Sequence, residues 1–135
     1  MAYQYLLDTN IISDLVKHPQ GRVYEKIRQA GEAAICTSII VAAELRFGAA
    51  KKGSSALTER IGNLLERTTV LAFDAPADQT YGLIRQQLQQ QGQPIGPNDL
   101  LIAAHALSFG LVLVSHNLSE FQRVPGLRVE DWLAQ

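Results

Sequence analysis

The chain has 135 residues, 47% of them hydrophobic and 19% charged, with a formal net charge of −1. That is enough chain for one domain with its own core, and the composition argues against disorder and against membrane residence. The near-neutral charge excludes the broad basic field of a general nucleic-acid-binding module, so any contact with nucleic acid must be local. No apolar run reaches the roughly 20 residues of a bilayer span, and the first residues lack a secretion-signal pattern, so a cytoplasmic place is expected. The single cysteine, Cys36, sits in an apolar run and reads as a small core residue.

In chain order, residues 3–7 form an apolar and aromatic run that ends at Asp8 and predicts a buried strand. Ile11, Ile12, Leu15 and Val16 recur at helical spacing until His18, Pro19 and Gly21 break it, and residues 23–30 predict a second helix. Residues 34–37 read as the second strand, Ser38 as the cap of a helix carrying Ile40, Val41, Leu45 and Phe47, and residues 57–66 as a further helix. Residues 69–73 are β-branched and apolar, which suits a third strand, with Asp74 and Pro76 starting a helix to about Gln91. The breaker-rich stretch 92–97 is irregular, and Asn98 is the expected N-cap of a helix to Phe109. Residues 111–115 give a fourth strand and 127–129 an edge strand, with Trp132 and Leu133 packing back onto the body. Apolar strands alternating with helices indicate an α/β three-layer sandwich: a mainly parallel four- or five-stranded sheet, helices on both faces, one domain over 1–135.

Three acids fall where core residues belong. Asp8 closes a buried strand. Glu44 follows Ile40 by four residues and Val41 by three, on the stripe expected to face the sheet, and Asp99 stands in the same relation to Ile102, Ala103, Ala106 and Leu107. An unpaired buried carboxylate costs several kcal/mol unless a proton, a base or a cation neutralises it. Arg46 and Arg85 are the candidate basic partners, but a hard divalent cation on oxygen ligands is the simpler solution, and it suits phosphodiester chemistry. Asp14, Glu32, Glu59, Glu66 and Asp78 read as exposed, and Asp74 as a cap.

These features resemble the VapC-type toxins of the PIN-domain ribonucleases over essentially the whole chain. The likeness is carried by LLDTNIISDL at 6–15, AAELRFGA at 42–49, GQPIGPNDLLIAAHAL at 92–107, LVSHNLSEF at 113–121 and PGLRVEDW at 125–132. The resemblance implies a PIN-like fold and RNA cleavage by metal-activated water, with Mg²⁺ held by Asp8, Glu44 and Asp99 and Mn²⁺ as the alternative ion. The family's fourth polar position, often Asp, falls on Asn117, and Glu120 is the nearby carboxylate able to complete the catalytic set. His116 is a candidate general acid, although a positional role fits better where a metal handles the charge. Thr9 and Asn10 are expected to support Asp8. Lys17, Arg22, Lys26, Arg46, Lys51 and Lys52 are candidate phosphate contacts.

The implied partners are a VapB-like antitoxin that blocks the acids, operator DNA only through that antitoxin, a second copy of the chain, and an RNA substrate. The ending and the 92–99 segment resemble members that cut initiator tRNA in its anticodon loop. Two other readings remain: a catalytically weak PIN-like module that binds RNA or antitoxin, and a non-enzymatic Mg²⁺-binding signalling domain. The second wants an early acidic pair and a Lys closing the last buried strand, and the chain has neither at 8–10 nor at 115–117.

Overall fold

In a computed structural model describing residues 2–134, five short strands make one parallel sheet: Tyr5–Leu7 (β1), Ile35–Ser38 (β2), Thr69–Leu71 (β3), Val112–Val114 (β4) and Val129–Glu130 (β5). Their order is β3-β2-β1-β4-β5, with Leu6 opposite Cys36 on one side and Leu113 on the other. Pairing on both edges and cover on both faces explain why β1 and β4 are apolar throughout: Leu6, Leu113 and Val114 are 0% exposed and Leu7 1%. Cys36 is buried with them, and burial pushes its thiol up to about 12, so it serves as packing.

The helices are Thr9–Lys17 (α1), Arg22–Ala30 (α2), Ile39–Lys52 (α3), Ser55–Glu66 (α4), Ala77–Gln90 (α5), Pro97–Ser108 (α6) and the single turn Leu118–Phe121 (α7). The path β1–β2–β3 crosses the sheet one way and β3–β4–β5 the other. Right-handed crossovers therefore place α1 to α4 on one face and α5 and α6 on the opposite face. The reversal falls between β1 and β4, so the crevice expected in such sheets opens where those two strands end, at Asp8 and Ser115.

Several boundaries differ from the sequence reading for local reasons. Ser38 does cap α3, its Oγ accepting from the Ile40 N–H at 3.0 Å, and also meets the buried His105 Nδ1 at 2.8 Å. Asn98, however, is not a cap: α6 starts two residues earlier than expected, with Gly96 at the cap position and Pro97, which needs no N–H partner, in the first turn. Asp74 does not cap α5 with its side chain, since Pro76 occupies the cap position and Asp74 contributes only its carbonyl, to Ala77 N at 2.8 Å. The face of α3 is also rotated from the one expected. Val41, Ala42, Leu45 and Ala49 pack inward, Ile40 is half-buried and Phe47 is exposed, so Glu44 stands at the edge of the core stripe and faces the crevice.

Candidate active site

Asp8 follows β1 directly and is 3% exposed. Its N–H donates to Val114 O at 2.9 Å and its carbonyl receives the first N–H groups of α1, from Ile11 and Ile12 at 3.1 Å. The backbone is thereby fixed from both sides. The carboxylate accepts from Ser115 Oγ at 2.8 Å, and that hydroxyl in turn accepts from Asn117 N–H at 3.0 Å, so the residue just after β4 pins the acid at the end of β1. Burial raises the Asp8 carboxyl above its usual range; the Ser115 hydroxyl and the Thr9 N–H oppose this, while the charges of Glu44 and Glu120 add to it.

Glu44 is half-buried on α3, and each of its oxygens has a donor: Thr9 Oγ1 on one and Asn98 Nδ2, at 3.1 Å, on the other. Asp99 and Glu120 approach each other at the start of α6. A methyl group placed on Gly96 would lie 3.6 Å from Glu120 Oε1 and 3.8 Å from Asp99 Oδ2. Burial first, then a proton shared with Glu120, then the charges of Asp8, Glu120 and Glu44 push Asp99 up to about 7. Glu120 moves the other way. Its Oε1 accepts the Gly96 N–H at 2.8 Å, its Oε2 accepts Asn117 Nδ2 at 3.1 Å, and the Gly96 bond is the main reason its carboxyl is lowered.

Asp8, Glu44 and Asp99 thus line one crevice, with Glu120 behind Asp99, and none of the ion pairs among the described residues involves these four; those pairs are Asp14–His18, Glu25–Arg28 and His116–Asp131. Arg46 is exposed and Arg85 lies against Tyr81, donating to its hydroxyl at 2.9 Å, so neither expected base serves the acids. Among the described residues no three His, Cys, Asp or Glu side chains form a ready-made metal cage. The chemistry of the donor set nonetheless fits a hard divalent cation: oxygen atoms only, drawn from water, mutually repelling and in no ion pair among the described residues.

The crevice has a volume of about 1000 Å³, and Asp8, Asp14, Lys17, Glu44, Asn98 and Asp99 supply much of its polar lining. Asp14, expected to be exposed, is half-buried there. Asn117 lines the same space, but His116 turns its ring away, with Nδ1 3.0 Å from Asp131 Oδ2. Thr9 serves both acids, its hydroxyl bonding Glu44 and its N–H the Asp8 carboxyl, and Asn10 accepts the His116 N–H at 3.1 Å. Of the six expected phosphate-binding cations only Lys17 lines the crevice; Arg22 donates to Leu133 O at 2.8 Å, and Lys26, Arg46, Lys51 and Lys52 are exposed elsewhere. Sequence reasoning missed Ser115 and Asn98 as the donors that orient Asp8 and Glu44. Ser115 was visible only as the last residue of the expected fourth strand, and Asn98 was hidden by its likeness to a cap.

Fold and crevice together are those of a PIN domain, and the PIN-domain family model matches residues 5–127. A tRNA(fMet)-specific endonuclease VapC from Shigella flexneri is 41% identical over 133 residues, covering 96% of this chain and 98% of the relative. A ribonuclease VapC2 from Haemophilus influenzae is 42% identical over 135 residues, again covering 96% and 98%. The chain belongs to the VapC ribonucleases of the PIN-domain family. Among solved structures, VapBC2 from Rickettsia felis bound to a fragment of its promoter DNA superposes with a TM-score of 0.87 at 34% identity, covering 98% of this chain and 99% of the other. DNA-bound VapBC from Salmonella typhimurium gives 0.85 at 37% identity, covering 96% and 98%. PIN-domain ribonucleases depend in general on divalent metal, and no helix among the described residues is long and apolar enough to cross a membrane.

Proposed function

We propose that the chain is the toxin of a toxin–antitoxin pair, a Mg²⁺-dependent endoribonuclease of the cytoplasm that cuts tRNA, with the anticodon loop of initiator tRNA as its target. The observation that carries this reading is the approach of Asp8, Glu44, Asp99 and Glu120 to one another with none of them in an ion pair among the described residues. The substrate follows the tRNA(fMet)-specific relative, and the partner, a VapB-like antitoxin that reaches operator DNA on the toxin's behalf, follows the DNA-bound VapBC complexes. The working unit is a homodimer.

Asp8, Glu44 and Asp99 would hold the ion, which when bound would polarise the phosphate and lower the pKa of water. Every other part of the site belongs to the chain. Ser115 keeps the Asp8 carboxylate aimed into the crevice, while Thr9 and Asn98 fix both oxygens of Glu44, so the ligands need little reorganisation. Glu120, kept ionised by the Gly96 N–H, and the Asn117 amide beside it orient the attacking water opposite the leaving 3′-oxygen. A bond forms from water oxygen to phosphorus as the bond to the 3′-oxygen breaks, the water proton passes to solvent, and the 3′-oxygen takes one up. The products carry 5′-phosphate and 3′-hydroxyl ends.

The test uses purified protein on initiator tRNA. Wild type should cut in Mg²⁺ and stop in EDTA, and Asp8→Asn, which keeps the Ser115 contact, should fold normally and leave tRNA intact. Undiminished cutting by that variant, or cutting with all divalent ions chelated, would remove the metal-site assignment. Mapping of new 5′-phosphate ends in cells after brief expression decides the substrate, and cuts confined to mRNA would overturn the tRNA assignment.

A further inference from the structure

One wall of the crevice is not explained by the acids. Phe47 lies three residues after Glu44 on α3 and is 68% exposed. It is the one aromatic side chain among the crevice's lining residues, and Ile40, Ala43 and Leu101 continue an apolar surface around it. A benzyl group left in water beside a polar site gives up the stabilisation that burial would supply, and none of the chain's own described elements covers it.

The electrostatics of the crevice call for a contact of this kind. Asp8, Asp14, Glu44 and Asp99 line it against a single cation, Lys17, and the chain as a whole carries a net charge of −1. A polyanion gains little from phosphate contacts on such a surface, because few counterions are released. What single-stranded RNA still offers is the flat face of each base, which stacks on exposed aromatic rings with little regard to sequence. Side chains three residues apart on a helix stand about 5–6 Å from each other at Cβ. A base resting on Phe47 therefore belongs to a nucleotide within immediate reach of the acids.

We infer that Phe47 is a base-stacking subsite that grips an unpaired nucleotide next to the scissile phosphate. This rests on the ribonuclease reading and deepens it: the acids act on the phosphate, and the ring holds the base that loop RNA leaves free. Duplex RNA, with its bases stacked inside, cannot use the subsite, which gives the enzyme a preference for loops.

The experiment measures kcat and KM of the whole chain in Mg²⁺ on the initiator tRNA anticodon stem-loop, and on the same RNA with single abasic nucleotides placed through the loop. Phe47→Ala should lower kcat/KM by about 5- to 150-fold, the range that loss of one stacked base produces, chiefly by raising KM. Phe47→Trp and Phe47→Tyr should retain activity, whereas Phe47→Leu, apolar but without a π face, should not. One abasic position should reproduce the loss in wild type and add nothing in Phe47→Ala. Equal cutting by wild type, Phe47→Ala and Phe47→Leu would overturn the subsite while leaving the ribonuclease reading intact. A Phe47→Ala defect confined to antitoxin binding would overturn it too, assigning the ring to the protein partner. Failure of wild type to cut the stem-loop at all would take down the parent reading and the subsite with it.

Discussion

Replacing Asp99 with Asn should make the metal-free protein more stable, although the side chain belongs to the proposed catalytic set. The Asp99 carboxyl is raised from 3.8 to about 7, chiefly by burial and by the acids around it. A rise of that size corresponds to about 4 kcal/mol at face value; because the carboxylate is only half-buried and opens on a wet crevice, solvent screening reduces this to about 1–2 kcal/mol. The folded state holds the proton more tightly than the unfolded one. Its advantage is therefore complete below about pH 4, shrinks as pH rises, and is gone above about pH 7, where the folded protein must carry the uncompensated charge. In EDTA the wild type should lose stability between pH 5 and 8 on this account, about 3–8 °C in Tm for a chain of this size. Asp99→Asn lacks that penalty, so thermal melts should find it above wild type at pH 8 and close to it at pH 5. Mg²⁺ at pH 8 should raise the wild-type Tm far more than the variant's. A variant less stable than wild type at pH 8 in EDTA, or a Tm difference that does not change with pH, would refute the reasoning.

Because the same proton competes with the ion, the apparent Mg²⁺ affinity measured by titration calorimetry should weaken from pH 8 to pH 6, and a flat profile would contradict the shared-proton arrangement at Asp99 and Glu120. Ser115→Ala removes the one side-chain donor to Asp8 and should cost about 10- to 100-fold in cleavage or metal affinity, measured side by side with wild type on the same RNA. His116→Ala should leave cleavage rates within about twofold, since its exposed ring is engaged with Asp131 and not with the acids. Leu113→Ala, in the middle of the sheet at 0% exposure, should lower unfolding free energy by about 2–5 kcal/mol in denaturant titrations.

The parts of this molecule that were legible in advance are those written in periodicity. Continuous apolar runs announced β1, β2 and β4, and Asp8 at the end of one run with Glu44 and Asp99 on helical apolar stripes pointed to the crevice. Orientation within an element was harder to read. The helical spacing that linked Glu44 to Ile40, Val41 and Phe47 was real, but packing against the sheet chose the Val41–Leu45 face, and Phe47 was left outside. Polar side chains with two plausible uses were also ambiguous. Asn98 next to a breaker reads as a cap, and only the three-dimensional approach of α3 to α6 shows it serving Glu44. Likewise Thr9 follows Asp8 in sequence but points its hydroxyl to α3, because alternate neighbours on a helix start face different partners.

The bond between Ser115 and Asp8 spans 107 positions of the chain. During synthesis the ribosome finishes β1, α1 and the Glu44 helix long before it reaches β4, whose backbone is the hydrogen-bonding neighbour of β1. Until then Asp8 lacks both its strand partner and its hydroxyl donor, and Glu120 does not yet exist. A growing chain that stops short of β4 therefore has the first acids of the crevice but neither the strand nor the side chains that hold them in place.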